Sequence, residues 1–382
     1  MDQIKREIAS VFEELAQGLE TGRLGKAPRV AVMGLGSELG EANVLAGCQA
    51  ASKEGIQVLY LGTLAIDGVT TLTCQAPDEA FARMGQLLCQ DEADAAVAMH
   101  YPFPIGVSTV GRIKAPATGK DFYLASTTGT SSTDRVEALV LNALAGIATA
   151  KADGLDDPAV GLLNLDGSRQ AESILKALKE EGYPIRFAVS GRSDGGAVLR
   201  GNDILTAPQD VLVLDSLTGN AILKVLAAYA SGGHYETTGA GYGPGVGEKM
   251  EGLVHIISRA SGAPVIAQAI AFAARTAKNQ LKDLYLRELA LARKAGLDRL
   301  LQERRAAAKP DAPAAQAPPA EVVTEQIEGI DVLSLEDAVQ LLWNAGVYAE
   351  SGMGCTGPIV RVSSYKLDEA RKILKEGGYI SE

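Results

Sequence analysis

Short apolar runs, each closed by a glycine-rich or polar turn and followed by a segment of helical period, recur along residues 28 to 260 of this chain. Arg29 to Met33 reads as a buried strand, Gly34 to Gly40 as its turn, and about Glu41 to Glu54 as a helix, with a second strand at Ile56 to Leu61. A helix over Asp78 to Gln90, strands at Ala95 to Met99 and Asp121 to Ala125, and a helix ending near Lys151 continue the alternation. Ala159 to Leu165 is a further strand, followed by a helix to Glu181 and a strand at Ile185 to Val189. Asp210 to Asp215 is an unbroken apolar run ending in an acid, as central parallel strands are, and Ser216 to Asn220 turns it into a helix. The order strand, turn, helix predicts an α/β fold with helices covering a mainly parallel sheet.

Outside this stretch the pattern changes. Asp2 to Leu19 carries a helical stripe at Ile4, Ile8, Val11, Phe12, Leu15 and Leu19. Gly232 to Gly247 is too glycine-rich to read as regular structure and too long for a simple turn, and loops of that length in compact domains tend to be functional. Pro264 to Ala308 is helical throughout. An Ala/Pro-rich stretch over 306 to 320 reads as a linker that spans roughly 45 Å at about 3.1 Å per residue. Beyond it, Ser334 and Asp337 have the spacing of a capping box, Ile359 to Val362 is strand-like, and a helix over Leu367 to Glu376 stops at Gly377. The expected divisions are an N-terminal helix (1–27), an α/β domain (28–305), a linker (306–322) and a small C-terminal module (323–382).

Composition narrows the function. A net charge of -11 leaves no basic surface for a nucleic-acid backbone. No signal-like segment opens the chain, and the longest apolar stretch, Ala263 to Ala274, is too short to span a bilayer, so a cytoplasmic protein without a membrane partner is expected. The 4 cysteines, Cys48, Cys74, Cys89 and Cys355, form no metal-ligand or disulfide spacing, and no metal is expected.

The candidate chemistry is spread along the chain. Cys355 sits in the run Ser351 to Pro358, where glycines permit close approach of another backbone and amide groups stabilise a thiolate: it is either a candidate nucleophile or an inert small residue in a turn. Asn220 and Lys224 are four apart on the helix after Asp215, near its positive end, and together with free N–H groups offer a cradle for phosphate or acyl phosphate. Asp215 either orients Lys224 or a substrate, or caps the turn. Ser126 to Arg135 is dense in hydroxyls and opens a helix: Ser126 and Thr127 either converge on an anion or belong to an ordinary N-capped loop. His100, at a strand end, either faces a ligand or packs beside the core, and His234 is the histidine of the glycine-rich loop. The first turn has the spacing GxGxxxG and lacks the acidic residue after the second strand that a dinucleotide site requires.

Val160 to Asn164, Asn202 to Leu205, and Asp210 to Asp215 with Thr218, Gly219, Asn220 and Lys224 resemble, in order, the motifs of the bacterial phosphate acyltransferases of phospholipid synthesis. The resemblance implies a three-layer α/β/α sandwich of the isocitrate/isopropylmalate dehydrogenase-like type and acyl transfer from an acyl-carrier-protein thioester to phosphate. The turn at Gly34 to Glu38 lacks that family's usual aspartate, and the linker and Cys355 module have no counterpart there. Over nearly its whole length the chain also resembles the component C alpha subunits of the glycine/sarcosine/betaine reductase complex. That resemblance implies an acetyl thioester on Cys355, acetyl phosphate as product, inorganic phosphate as substrate with no tightly bound cofactor, and a hetero-oligomer. Its implied partners are a component C beta subunit related to ketoacyl synthases and selenoprotein A as carboxymethyl donor. On this reading Cys355 is the covalent carrier, Lys224 and Asn220 are phosphate or oxyanion ligands, and Asp215, Gly219, Ser126, Thr127, His234 and Gly239 border the substrate, with the Gly232 to Gly247 loop as the acyl-site wall. A stand-alone phosphate acyltransferase and a non-catalytic scaffold subunit are the alternatives.

Overall fold

The computed structural model describes residues 26–191, 196–307, 317–330, 334–354 and 357–380, together with positions 5, 9, 12 and 16. Most of the expected N-terminal helix, Cys355 and Thr356 lie outside the described residues. The chain forms two compact units, Met1–Leu301 and Gln302–Glu382.

The first unit begins β1 (Arg29–Met33), α1 (Glu41–Ser52), β2 (Gln57–Gly62), β3 (Thr70–Thr73), α2 (Pro77–Cys89), β4 (Ala95–Ala98), β5 (Val107–Lys114) and β6 (Asp121–Thr130). It continues α3 (Arg135–Ala152), β7 (Ala159–Leu163), α4 (Ser168–Glu180), β8 (Arg186–Phe187), β9 (Val198–Leu199), α5 (Gly201–Thr206) and β10 (Val211–Val213). Then come α6 (Ser216–Ala228), β11 (Gly243–Val246), β12 (Val254–Ile256), α7 (Ala263–Lys278), α8 (Leu281–Lys294) and α9 (Leu297–Ala307), the last running past the unit boundary. The strands make one sheet in the order β3-β2-β1-β4-β12-β11-β5-β6-β10-β7-β8, with β9 also on β7. The ladders β12/β11, β11/β5 and β5/β6 are antiparallel and the rest are parallel. An odd number of reversals means that the two parallel groups, β3-β2-β1-β4-β12 and β6-β10-β7-β8, point in opposite senses.

Successive side chains of a strand face opposite sides of the sheet, and the core divides accordingly. Ala31, Leu59, Ala96, Phe122, Leu124 and Leu212 pack on one face with Met84 and Leu87 of α2 and Leu223 of α6. On the other face, Val30, Val58, Tyr60 and Val97 meet α1 and α7, while Tyr123, Ala125, Val160 and Val211 meet α3, α4 and α8. The result is the expected three-layer α/β/α sandwich, with both faces of the sheet covered as parallel strands demand.

Two sequence expectations fail at the centre. Gly243 to Val246, read as part of an irregular loop, is the buried strand β11, and β5, whose Ser, Thr, Gly and Arg residues hide the strand pattern, is its neighbour. Glycine is required by proximity: a Cβ on Gly243, which has a positive φ of 80°, would lie 1.8 Å from the Val110 carbonyl oxygen, and one on Gly247 would lie 2.2 Å from that of Gly106. Likewise Ser126 to Thr130, read as loop, continues β6, because β5 pairs with it as far as Val107↔Thr130 through a bulge. The helical stretch after Pro264 is broken into α7, α8 and α9 at Gln280 and Gly296, both with positive φ.

The second unit holds β13 (Glu325–Ile327), α10 (Leu335–Asn344), β14 (Ala349–Gly354), β15 (Gly357–Val362) and α11 (Leu367–Glu376). The strands form an antiparallel sheet in the order β13-β15-β14. Its core is Ile327, Leu335, Val339, Leu342, Val360, Val362, Ala370 and Leu374. Ser334 precedes α10 without a side-chain cap bond, so the capping box is not formed. Residues 351 to 354, expected in a turn, belong to β14, whose ladder with β15 ends at Gly354↔Gly357.

Two outcomes follow for stability. His255, in β12, is fully buried with Nε2 3.0 Å from Thr276 Oγ1, and burial, aided by Arg275, pushes its pKa down to about 3. Between that value and the unfolded value of about 6.5 only the unfolded chain binds the proton, so stability present above that range falls as pH drops through it, at roughly 1 kcal/mol per pH unit. Urea midpoints measured from pH 7 to 5 should fall, and His255→Gln should flatten the slope. Gly219→Ala should cost about 1–3 kcal/mol despite alanine's better helix propensity, because its Cβ would lie 1.9 Å from the Ser126 carbonyl oxygen; Gly85→Ala in α2, with nothing within 4 Å, should be neutral or stabilising by the same assay.

Candidate functional site

Helix α6 organises the site. Asp215 caps it, accepting from Thr218 N at 2.9 Å and from Thr218 Oγ1 at 2.7 Å, which is the capping alternative for this residue. Gly219 lets the first turn approach the β6 backbone at Ser126, and Leu223 and Ala227 anchor the next turns in the core. Asn220 and Lys224 are thereby held on one side of the helix.

Lys224 Nζ donates to Glu236 Oε1 at 2.7 Å and to Ser258 Oγ at 2.5 Å, and stands 5.6 Å from the Tyr242 ring centroid. The Glu236 carboxylate, 2% exposed, also accepts from Ser261 Oγ at 2.8 Å. Burial works against the charged ammonium, but the hydrogen bond and charge of Glu236 outweigh it and hold the Lys224 pKa above the ordinary lysine value. Burial likewise lifts the Tyr242 phenol, which therefore stays protonated at neutral pH. An ammonium has three donors. Two are committed to Glu236 and Ser258, and the Tyr242 phenol is a further hydrogen-bond partner of this half-exposed side chain and of Asn220.

Beside this pair a cavity of about 360 Å³ opens at the carboxyl ends of β4 and β12. Asn220, Thr128, Ser258, Arg259, His100 and Glu38 supply its polar lining, and Met99, Tyr101, Phe103, Tyr242, Ile256 and Ile257 its apolar lining. Arg259 is exposed, and among the described residues no carboxylate pairs with its guanidinium. A planar guanidinium of this kind matches phosphate or carboxylate oxygens two at a time.

The remaining expected site residues fall elsewhere. Ser126 and Asp215 line a second cavity of about 200 Å³ with Arg135, Asn142 and Asp166, where Arg135 is ion-paired with Asp166. Hydroxyls here are internally satisfied: Ser126 Oγ donates to the Thr128 carbonyl, and Ser131 and Ser108 both donate to Asn142 Oδ1. Thr127 is fully buried, with Oγ1 2.7 Å from Thr109 Oγ1 and donating to the Tyr242 carbonyl at 2.8 Å, so its hydroxyl supports the backbone beneath Tyr242 and does not face a ligand. Gly239 takes a positive φ with its Cα against the Arg112 carbonyl, a packing role. His234 is exposed on the loop after α6 and borders neither cavity. His100, left open in sequence, is exposed and lines the larger cavity.

Arg259, Ser258, Glu236, Tyr242 and Glu38 were missed in sequence. The signal for Ser258 and Arg259 was present as a polar, basic pair directly after the apolar run Leu253 to Ile257, since open α/β sheets bind ligands outside the carboxyl ends of their strands.

The "Fatty acid synthesis protein" family model matches residues 28–361. The chain is 46% identical over 388 residues to the glycine/sarcosine/betaine reductase complex component C subunit alpha of Peptoclostridium acidaminophilum, covering 100% of both chains. It is 30% identical over 234 residues to a phosphate acyltransferase of Thermus thermophilus, covering 52% of this chain and 70% of that one. Among solved structures, a branched-chain phosphotransacylase from Enterococcus faecalis V583 aligns with a TM-score of 0.47 and 16% identity over 65% of this chain and 98% of that one. No described helix is long and apolar enough to cross a membrane. With a family model spanning most of its residues and a relative matching it from end to end, the chain belongs to the fatty acid synthesis protein family, alongside the component C alpha subunits.

Proposed function

We propose that this protein is an acyltransferase that moves an acetyl group from a thioester on Cys355 to inorganic phosphate in the cavity beside α6. The observation that carries the reading is the Arg259 guanidinium, paired with no carboxylate among the described residues, lining one cavity with the Asn220 amide next to the Lys224–Tyr242–Glu236 cluster. They lie at the carboxyl end of a strand, where open α/β sheets bind ligands, in a chain with a relative named for phosphate acyl transfer. The full-length likeness to a reductase-complex subunit supports the assignment of the carrier thiol to Cys355 and of the partners to a ketoacyl-synthase-like beta subunit and a selenoprotein carboxymethyl donor. Phosphate is the co-substrate, and no tightly bound cofactor enters the scheme.

A phosphate oxygen forms a bond to the thioester carbonyl carbon, placing negative charge on the carbonyl oxygen. As that charge collapses, the carbon–sulfur bond breaks, its electron pair leaves on sulfur as thiolate, and acetyl phosphate departs. Both nucleophile and leaving group are anions near neutral pH, so the protein's task is electrostatic: to hold phosphate and to meet the oxyanion with donors that need not reorganise. Arg259 suits the first role, Asn220 and Lys224 the second.

Incubating the full chain with acetyl phosphate should place an acetyl adduct on Cys355 by peptide mass spectrometry. An unmodified Cys355 in protein that still exchanges labelled phosphate with acetyl phosphate would refute the carrier, and absence of both would favour a scaffold subunit. Arg259→Gln should raise the KM for phosphate about tenfold to a hundredfold, the worth of a charge-assisted hydrogen bond, with the Cys355 adduct still forming from an upstream donor. Lys224→Met combined with Glu236→Gln, which avoids stranding a buried carboxylate, should slow acetyl phosphate release more than Cys355 acylation; equal slowing of both steps contradicts the division of roles.

A further inference from the structure

The apolar half of the larger cavity is built differently from its polar half. Tyr101 and Phe103 follow β4 in the sequence Tyr101-Pro102-Phe103-Pro104, where two prolines fix φ and restrict the loop. The Phe103 N–H donates back to the Tyr101 carbonyl at 3.0 Å, closing a tight turn that presents both rings to the same side. Their centroids are 5.0 Å apart, and Tyr101 in turn lies 5.7 Å from Phe81 of α2, so the partly buried pair packs against the edge of the core. Phe103 packs against the glycine of a central strand: a Cβ on Gly245 would lie 2.3 Å from the Phe103 ring. The ring is thus fixed from behind by Gly245 and from the side by Tyr101, and faces the cavity that Ile256 and Tyr242 share.

Resting on the acyl-transfer reading above, we propose that Phe103 is the specificity-determining residue for acyl length, closing the cavity behind a two-carbon group. In this cavity the Phe103 ring belongs to the apolar lining, while phosphate and the acyl carbonyl are held on the polar side by Asn220 and Arg259. A methyl group then meets the aromatic wall. A longer chain has to displace a ring that Tyr101, Gly245 and the two prolines hold in place. Replacing the ring by a smaller side chain removes the wall while leaving the phosphate ligands untouched.

The test uses the full chain and two probes, acetylphosphonate and butyrylphosphonate, which mimic acyl phosphates and are not turned over. Titration calorimetry should show wild type preferring acetylphosphonate, and Phe103→Ala shifting the ratio toward butyrylphosphonate by at least about tenfold, the lower end of the worth of one methylene in an apolar pocket. Phe103→Leu should shift it less, and serves if the alanine variant does not fold. An unchanged ratio in a folded variant that binds both probes overturns the proposal, as does a wild type that binds the butyryl probe as tightly as the acetyl one. Labelled-phosphate exchange, run in parallel, separates the two levels. Probe binding with the expected shift but no exchange leaves the length wall standing and sinks the catalytic reading; normal acetyl phosphate exchange with no shift does the reverse; no binding of either probe sinks both.

Discussion

Close backbone approach at the middle of the sheet is the constraint on which the rest of this structure depends. The two oppositely directed halves of the sheet meet through β11, β5 and β6, and they meet with almost no space for side chains: Gly243 lies against the Val110 carbonyl and Gly219 against that of Ser126. A methyl group at either contact would force backbones apart. Because they stay together, α6 sits directly over the β6 backbone, its first turns carry Asn220 and Lys224 to the carboxyl end of β12, and the glycine-rich segment after α6 returns as a strand. Glycine here serves proximity more than flexibility.

The electrostatics of the site follow from that seating. Glu236 is buried, and a buried carboxylate is tolerated only when it is paired and hydrogen-bonded; Lys224 and Ser261 provide those bonds, and Ser258 accepts a second bond from the same ammonium. The arrangement fixes the ammonium in position but cancels most of its charge. Attraction of an anion to a protein of net charge -11 then falls chiefly to Arg259, which has no such partner among the described residues. The division has a chemical logic. A neutralised, rigid donor suits a transient oxyanion, where position matters most, whereas an uncompensated guanidinium suits capture of a doubly charged substrate from solution.

Much of the fold was legible in the chain. The strands β1, β4, β7 and β10 and the helices that follow β1, β7 and β10 were visible because each is an apolar run or an amphipathic period closed by turn residues, all of it local information. So was the position of Asn220 and Lys224 on one face of a helix capped by Asp215. The strands β5 and β11 were not, since Ser108, Gly111, Gly243 and Gly245 have little strand propensity of their own and are extended because neighbours on both sides complete their ladders. Hydroxyl density misled in the same way: Thr127 and Ser126 look like ligands in sequence, yet Thr127 bonds to Thr109 and Tyr242 across a sheet whose pairing no local pattern reveals, and Ser126 bonds back to its own strand at Thr128.

By itself, then, the sequence determined the α/β class, the covered parallel sheet and the family motifs, because each of these is written in the periodicity and order of nearby residues. Tertiary structure alone decided which side chains share a cavity. Glu38, His100, Asn220, Tyr242 and Arg259 come from five separate segments, and what gathers them is the order of strands in the sheet and the closeness that its glycines permit, neither of which any stretch of chain contains before the distant stretches meet.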